Sequence, residues 1–255
     1  MRLSWSGRRQ LLYYGVGLVV LLALAWGGYQ YFFTAPPSCF DGVQNQNERG
    51  VDCGGPCSLV CTGDARPLVV LWARPFEVVP PSATSGQTGS YTAAAYVQSG
   101  NLSSGAKSVP YSFQLFDSEN SLVVERDGVI DIPPTEIVPI VETGINTGTR
   151  TATRALFAFG AVPVWHSVSV PMLHITNQVL ASDGSRLSAT LTNDTLLPVQ
   201  GVTVDAVLFD ASSTALAASK SVVDVPQKGT QNVIFTWPNG TPGVIRAEIT
   251  VLPPF

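Results

Sequence analysis

Between Arg9 and Asp41 the chain carries no charged residue, and within this stretch Leu11 to Phe33 is almost wholly apolar. As a helix, that length crosses a bilayer core of roughly 30 Å. Arg2, Arg8 and Arg9 precede it, so the excess of positive charge keeps the N-terminus on the cytoplasmic side. Everything after Thr34 is then expected outside the cytoplasm. A competing reading takes Leu11 to Leu22 as the apolar part of a secretory signal, with Ala23-Leu24-Ala25 as its small-residue cleavage site. Against cleavage, Trp26, Tyr29, Tyr31, Phe32 and Phe33 follow without a break, in the manner of an aromatic belt at the outer end of a spanning helix.

Immediately beyond lie all four cysteines, Cys39, Cys53, Cys57 and Cys61. Outside the cytoplasm an even, clustered set forms disulfides, and four cysteines leave three pairings open. A segment this short buries no core of its own, so crosslinks must restrain it. Zinc ligation is the competing use. Three residues separate Cys53 from Cys57 and Cys57 from Cys61, whereas zinc ribbons favour Cys-x-x-Cys pairs. The oxygen-bearing side chains Asp41, Asn45, Asn47, Glu48 and Asp52 have the hard-ligand chemistry calcium prefers. Beside glycines the same residues cap turns. The run Cys39-Phe40-Asp41-Gly42, with Asn45, Glu48, Gly50 and Asp52-Cys53-Gly54-Gly55-Pro56-Cys57, resembles a short cysteine-rich motif recurring in bacterial and archaeal surface proteins. That resemblance implies an extracytoplasmic location and no defined activity.

After a linker around Thr62 to Pro67, the chain repeats itself. Leu115-Phe116-Asp117 returns as Leu208-Phe209-Asp210, and Val129-Ile130-Asp131-Ile132-Pro133 as Val222-Val223-Asp224-Val225-Pro226, each at an offset of 93 residues. Arg154-Ala155 returns as Arg246-Ala247 at 92. Matched blocks in one order at near-constant spacing predict two copies of one domain. Val109, Tyr111, Phe113 and Leu115 alternate with polar residues or proline, as do Val202, Val204, Ala206 and Leu208 in part, the period of a strand with one buried face. Each Phe-Asp is followed by a short polar stretch and another apolar run, which reads as a hairpin. The fold class expected is all-β: two tandem immunoglobulin-like β-sandwiches at 66–168 and 169–255, after a cytoplasmic N-terminus (1–10), a transmembrane helix (11–33) and a cysteine-rich segment with linker (34–65). Val202 to Ala218 resembles small prokaryotic surface sandwiches of the FxLYD or CARDB kind, which implies an immunoglobulin- or fibronectin-like module, often tandem and membrane-tethered.

Charged residues make up 13% of the chain and the net charge is −4. With no basic run past Arg9, nucleic acid is not an expected partner. His166 and His174 are the only histidines, separated by Pro171, and no nucleophile, metalloprotease or phosphate-loop motif occurs. No enzyme is expected. Asp117, Asp131, Asp210 and Asp224 hold equivalent repeat positions, which assigns them to turns and strand ends. Trp72, Trp165 and Trp237 are expected mainly in cores, with Trp165 the candidate exception at the domain junction. The expected role is a structural or protein-interaction part of the cell envelope, with the bilayer and an envelope protein as partners. A carbohydrate-binding module would instead need a row of exposed aromatic rings. A noncatalytic subunit or degenerate enzyme would need a pocket with converging polar groups.

Overall fold

The computed structural model describes residues 5–33 and 38–255; Arg2 and the stretch 34–37, including Thr34 and the proline pair, lie outside them. The chain divides into two units, 1–57 and 58–255. In the first, α1 spans Trp5–Phe33. Leu11 is 64% exposed and Val20 50%, on opposite sides of the helix, so no protein core among the described residues accounts for its apolar composition. A helix apolar all round needs an apolar surrounding from elsewhere. Among the described residues, α1 is the one helix long and apolar enough to cross a membrane, a property it shares with signal sequences.

The second unit is all-β and antiparallel. β1 (Val69–Val79), β2 (Ser90–Gln98) and β5 (Ile137–Asn146) form one sheet in the order β1-β2-β5. β3 (Ser104–Phe116), β4 (Leu122–Ile132) and β6 (Arg154–Phe159) form its partner in the order β4-β3-β6, with β7 (Trp165–Ser167) added along the start of β3. The second copy repeats this plan. β8 (Leu173–Leu180), β9 (Arg186–Asn193) and β12 (Gly229–Thr236) face β10 (Val199–Phe209), β11 (Ala215–Val225) and β13 (Arg246–Leu252), in the orders β12-β9-β8 and β11-β10-β13. The two hairpins read from the repeat are β3–β4 and β10–β11. Alternation does what the period requires: Val109, Tyr111, Phe113 and Leu115 join one core, and Val202, Val204 and Ala206 the other.

A third apolar layer joins the copies. Phe76, Ala94, Tyr96 and Val141 of the first sandwich pack with Val207, Phe209, Ala215 and Ala218 of the second. Sheet β1-β2-β5 therefore lies face to face on sheet β11-β10-β13, and the unit is a stack of four sheets. β2, buried from Tyr91 to Val97, and β10, buried from Asp205 to Phe209, are covered on both faces. Trp72 stacks on Tyr96 at 4.6 Å, and Tyr96 meets Phe209 edge-on at 6.0 Å.

The repeat explains where the stack ends. On the outer face of β3–β4, Ser112 and Gln114 donate to the Glu125 carboxylate. Their equivalents 93 residues on are Asp205, Val207 and Ala218, on the inner face of β10–β11. The same surface of the domain is polar where it meets water and largely apolar where it meets a sheet.

Candidate functional site

In the cysteine segment, Cys39 is bonded to Cys57, with Cα atoms 5.6 Å apart. Cys53 and Cys61 are also disulfide-bonded, and no cysteine is free. Of the three pairings compatible with the sequence, the Cys39–Cys57 bond leaves one. Sulfurs held in disulfides are not thiolate ligands for zinc. Glu48 approaches both Cys39 and Cys57, so the group mixes one carboxylate with one disulfide.

The oxygen-rich residues converge, and their carboxylates turn inward to the backbone. Asp52 accepts from the N–H groups of Asp41 (3.0 Å) and Gly42 (2.9 Å). Asp41 accepts from Val43 N and Asn45 Nδ2, and these donors, Asn45 foremost, hold its carboxyl below the usual range. Buried Glu48 accepts from Asn45 N and Asp52 N. Asn45 Oδ1 is buried without a partner. Asn47 contributes a left-handed backbone (φ 67°), and its carbonyl oxygen passes 2.4 Å from where a Cβ on Gly55 would stand. The candidate calcium residues thus serve as turn caps, and the second glycine of the pair leaves room for a chain crossing.

The four repeated aspartates have matched duties. Asp117 accepts from the N–H groups of Glu119 and Ser121, and Asp210 from those of Ser212 and Thr214, closing the two hairpin turns. Asp131 accepts from Ser108 N, and Asp224 from Gly201 N, both at 2.7 Å. Ser108 (φ 53°) and Gly201 (φ 66°) are the left-handed residues of equivalent bulges in β3 and β10.

The histidines are not brought together: His166 lies in β7 and His174 in β8, the latter 3.5 Å from Asp194. Trp165 corrects the expectation of an exposed junction residue. It is 4% exposed and part of the first core, because β7 folds back on β3. Trp72 belongs to the interlayer and Trp237 packs on Phe235. Among the described residues outside α1, the one fully exposed aromatic is Phe40, so neither outer sheet face presents a row of rings. Asn-x-Ser/Thr triplets occur at Asn101, Asn193 and Asn239; Asn101 and Asn193 are buried, and Asn193 Nδ2 donates to backbone carbonyls of Leu197 and Pro226.

A pocket with converging polar groups does exist, and it lies where the two sandwiches meet. Its volume is about 340 Å³, and its walls include Tyr111, Val129, Asp131 and Val141 from the first copy with Asp205, Lys220 and Val222 from the second. Asp205 is 1% exposed and its Oδ1 has no hydrogen-bond partner. Burial pushes this carboxyl up to about 8, against a smaller opposing pull from Lys220, its ladder neighbour on β11. Tyr111 donates to Glu142, which also lies 3.8 Å from Arg126, and burial with that carboxylate raises the phenol. The Tyr111 ring occupies the space a side chain at Gly128 would fill.

Asp205 was not singled out by sequence. The legible signal was in β10 itself, where Ala206 to Phe209 is apolar on both parities, the mark of a strand covered on both sides.

No family model matches the sequence, and no curated protein matches it. Among solved structures, the red sea bream transglutaminase crystal structure is similar at a TM-score of 0.22, with 11% identity over 75% of this chain. This chain spans 30% of that one, and a likeness so weak carries no argument.

Proposed function

We propose that the chain is a single-pass membrane protein whose N-terminus is cytoplasmic. Its disulfide-bonded segment and sandwiches then stand outside as a structural or protein-interaction element of the cell envelope. The observation that carries this reading is α1, whose apolar side chains, among the described residues, are exposed on opposite sides of the helix and not buried in a core. Oxidised cysteines support the compartment, and Arg8 and Arg9 support the orientation. The continuous interlayer supports a rigid body rather than two beads on a string, which suits a part that holds position or presents a surface. The likeness of Cys39 to Cys61 to surface-protein motifs and of the hairpins to FxLYD or CARDB modules belongs to this reading.

Single thiols test it. Ser6→Cys and Leu102→Cys place exposed cysteines in α1 and in the loop between β2 and β3. In intact cells an impermeant maleimide is expected to label the second and spare the first. Labelling of Ser6→Cys alone overturns the orientation. A soluble product whose intact mass begins at Trp26 overturns the anchor.

A further inference from the structure

We propose that the cavity between the sandwiches binds a compact organic cation, a primary ammonium on a small apolar body, with Asp205 as its counter-charge. The inference goes beyond the envelope role and does not depend on membrane topology. A buried carboxyl without a partner is destabilising, and here it stands in a layer otherwise built from Val141, Val207, Phe209 and Ala218. Its equivalent in the first copy, Ser112, faces outward and is hydrogen-bonded to Glu125. Asp205 therefore performs no duty that the domain plan requires, yet it lines the cavity.

The surrounding chemistry selects the ligand. Asp131 stands in the wall, and Asp224 holds the N–H of Gly201, another wall residue. Against these carboxylates, Lys220 is the basic residue lining the cavity, and its side chain is exposed to water. The balance favours a cation. A bare metal ion fits poorly: among the described residues, three carboxylate oxygens do not gather here within the 4.8 Å spacing of a shared metal. Val129, Ile130, Val141 and Val222 supply apolar walls instead. The volume of about 340 Å³ is at the small end of organic-ligand sites, roughly 300–1,000 Å³.

Burial pushes the Asp205 carboxyl up to about 8, so the neutral form predominates at pH 7. An ammonium ligand then displaces a proton on binding. Affinity rises by about tenfold per pH unit below that value and levels off above it. The other ionisable groups around this carboxyl are Lys220 and Asp224 on β11, Asp131 and Arg126 on β4, and the Tyr111–Glu142 pair. Tyr96, which donates to Glu248, and Arg246, paired with the same carboxylate, stand on β2 and β13. An alkylammonium, with a pKa near that of lysine at about 10.4, stays charged throughout the range.

The test is calorimetric titration of the full-length, detergent-solubilised protein with cyclohexylammonium, cyclohexanol and cyclohexanecarboxylate at pH 6, 7 and 8.5. Cyclohexylammonium is expected to bind with a dissociation constant of about 1 mM or tighter at the highest pH, and the other two at least about tenfold more weakly. Asp205→Asn is expected to weaken it about tenfold and to abolish the pH dependence. Val222→Trp, at a rim position 62% exposed, fills the cavity without touching the core and is expected to abolish binding. Should Asp205→Asn unfold the protein, Val222→Trp decides alone. Preference for the carboxylate, equal binding of all three probes, no binding of cyclohexylammonium, or unchanged binding by Val222→Trp overturns the proposal.

Discussion

At Asp205 the cost of burial has a sign that pH reveals. The folded-state pKa, about 8, lies above that of an exposed aspartate, so folding favours the protonated form. The stabilising contribution of protonation is complete below the ordinary aspartate range near 3.8 and is lost as pH rises toward 8. Asp205→Asn does not titrate. The variant is expected to gain stability relative to the parent as pH is raised from 5 to 8, read from denaturation midpoints at the two values; a constant difference would show that the carboxyl is not desolvated. A second residue-scale device is the bulge latch. Removing the acceptor in Asp224→Ala leaves Gly201 N without its partner and is expected to cost roughly 1–2 kcal/mol in urea unfolding. Asp131→Ala, on the equivalent latch, is expected to cost a similar amount.

Strands that occupy the same place in the two copies differ in what covers them. Phe116 and Phe209 each lie under an arginine, Arg154 at 4.7 Å and Arg246 at 4.4 Å. Phe209 is 4% exposed in the interlayer, while Phe116 is half-buried on the outer face of the stack. Phe209→Ala is expected to cost roughly 3–5 kcal/mol, the range for a buried aromatic, and Phe116→Ala less than half of that. Parallel unfolding curves of the two variants check the four-sheet stack directly, because equal losses would mean that the sandwiches do not pack through this face. Local periodicity could assign both strands and both hairpins, since alternation is written in neighbouring residues. It could not tell Phe209 from Phe116, because what buries Phe209 is another sheet, with Tyr96 of β2 meeting it edge-on from more than a hundred residues away.

For the whole molecule, the polar outer faces matter as much as the apolar inner ones. Sheets β1-β2-β5 and β11-β10-β13 present different surfaces of the domain to each other, a head-to-tail contact that has no built-in end. Ser112, Gln114 and Glu125 supply one end by making the outer β3–β4 face polar. Giving that face the inner residues, as Gln114→Val with Glu125→Ala, is expected to produce concentration-dependent self-association in sedimentation velocity; a monomer at all concentrations would remove this account of why the stack stops. Reduction of the disulfides tests the other unit. The Cys39–Cys57 bond spans 18 residues and contributes roughly 3 kcal/mol by chain-entropy reasoning. Reduced protein is expected to be cleaved by protease within 38–57 while the β-sandwich unit, whose cores contain no cysteine, keeps its thermal transition.

The sequence by itself determined the apolar helix, the oxidation-prone cysteine cluster, the duplicated domain and its hairpins, since each is a matter of composition or short-range spacing. It also assigned Asp117, Asp131, Asp210 and Asp224 to turns and strand ends through their repeat positions. Tertiary structure decided which cysteines pair, why Trp165 is buried, which sheet face meets which, and that Asp205 is buried along a cavity instead of facing water. Alternation along a strand separates two faces but says nothing of what lies against the second one. That depends on how two whole sheets come together.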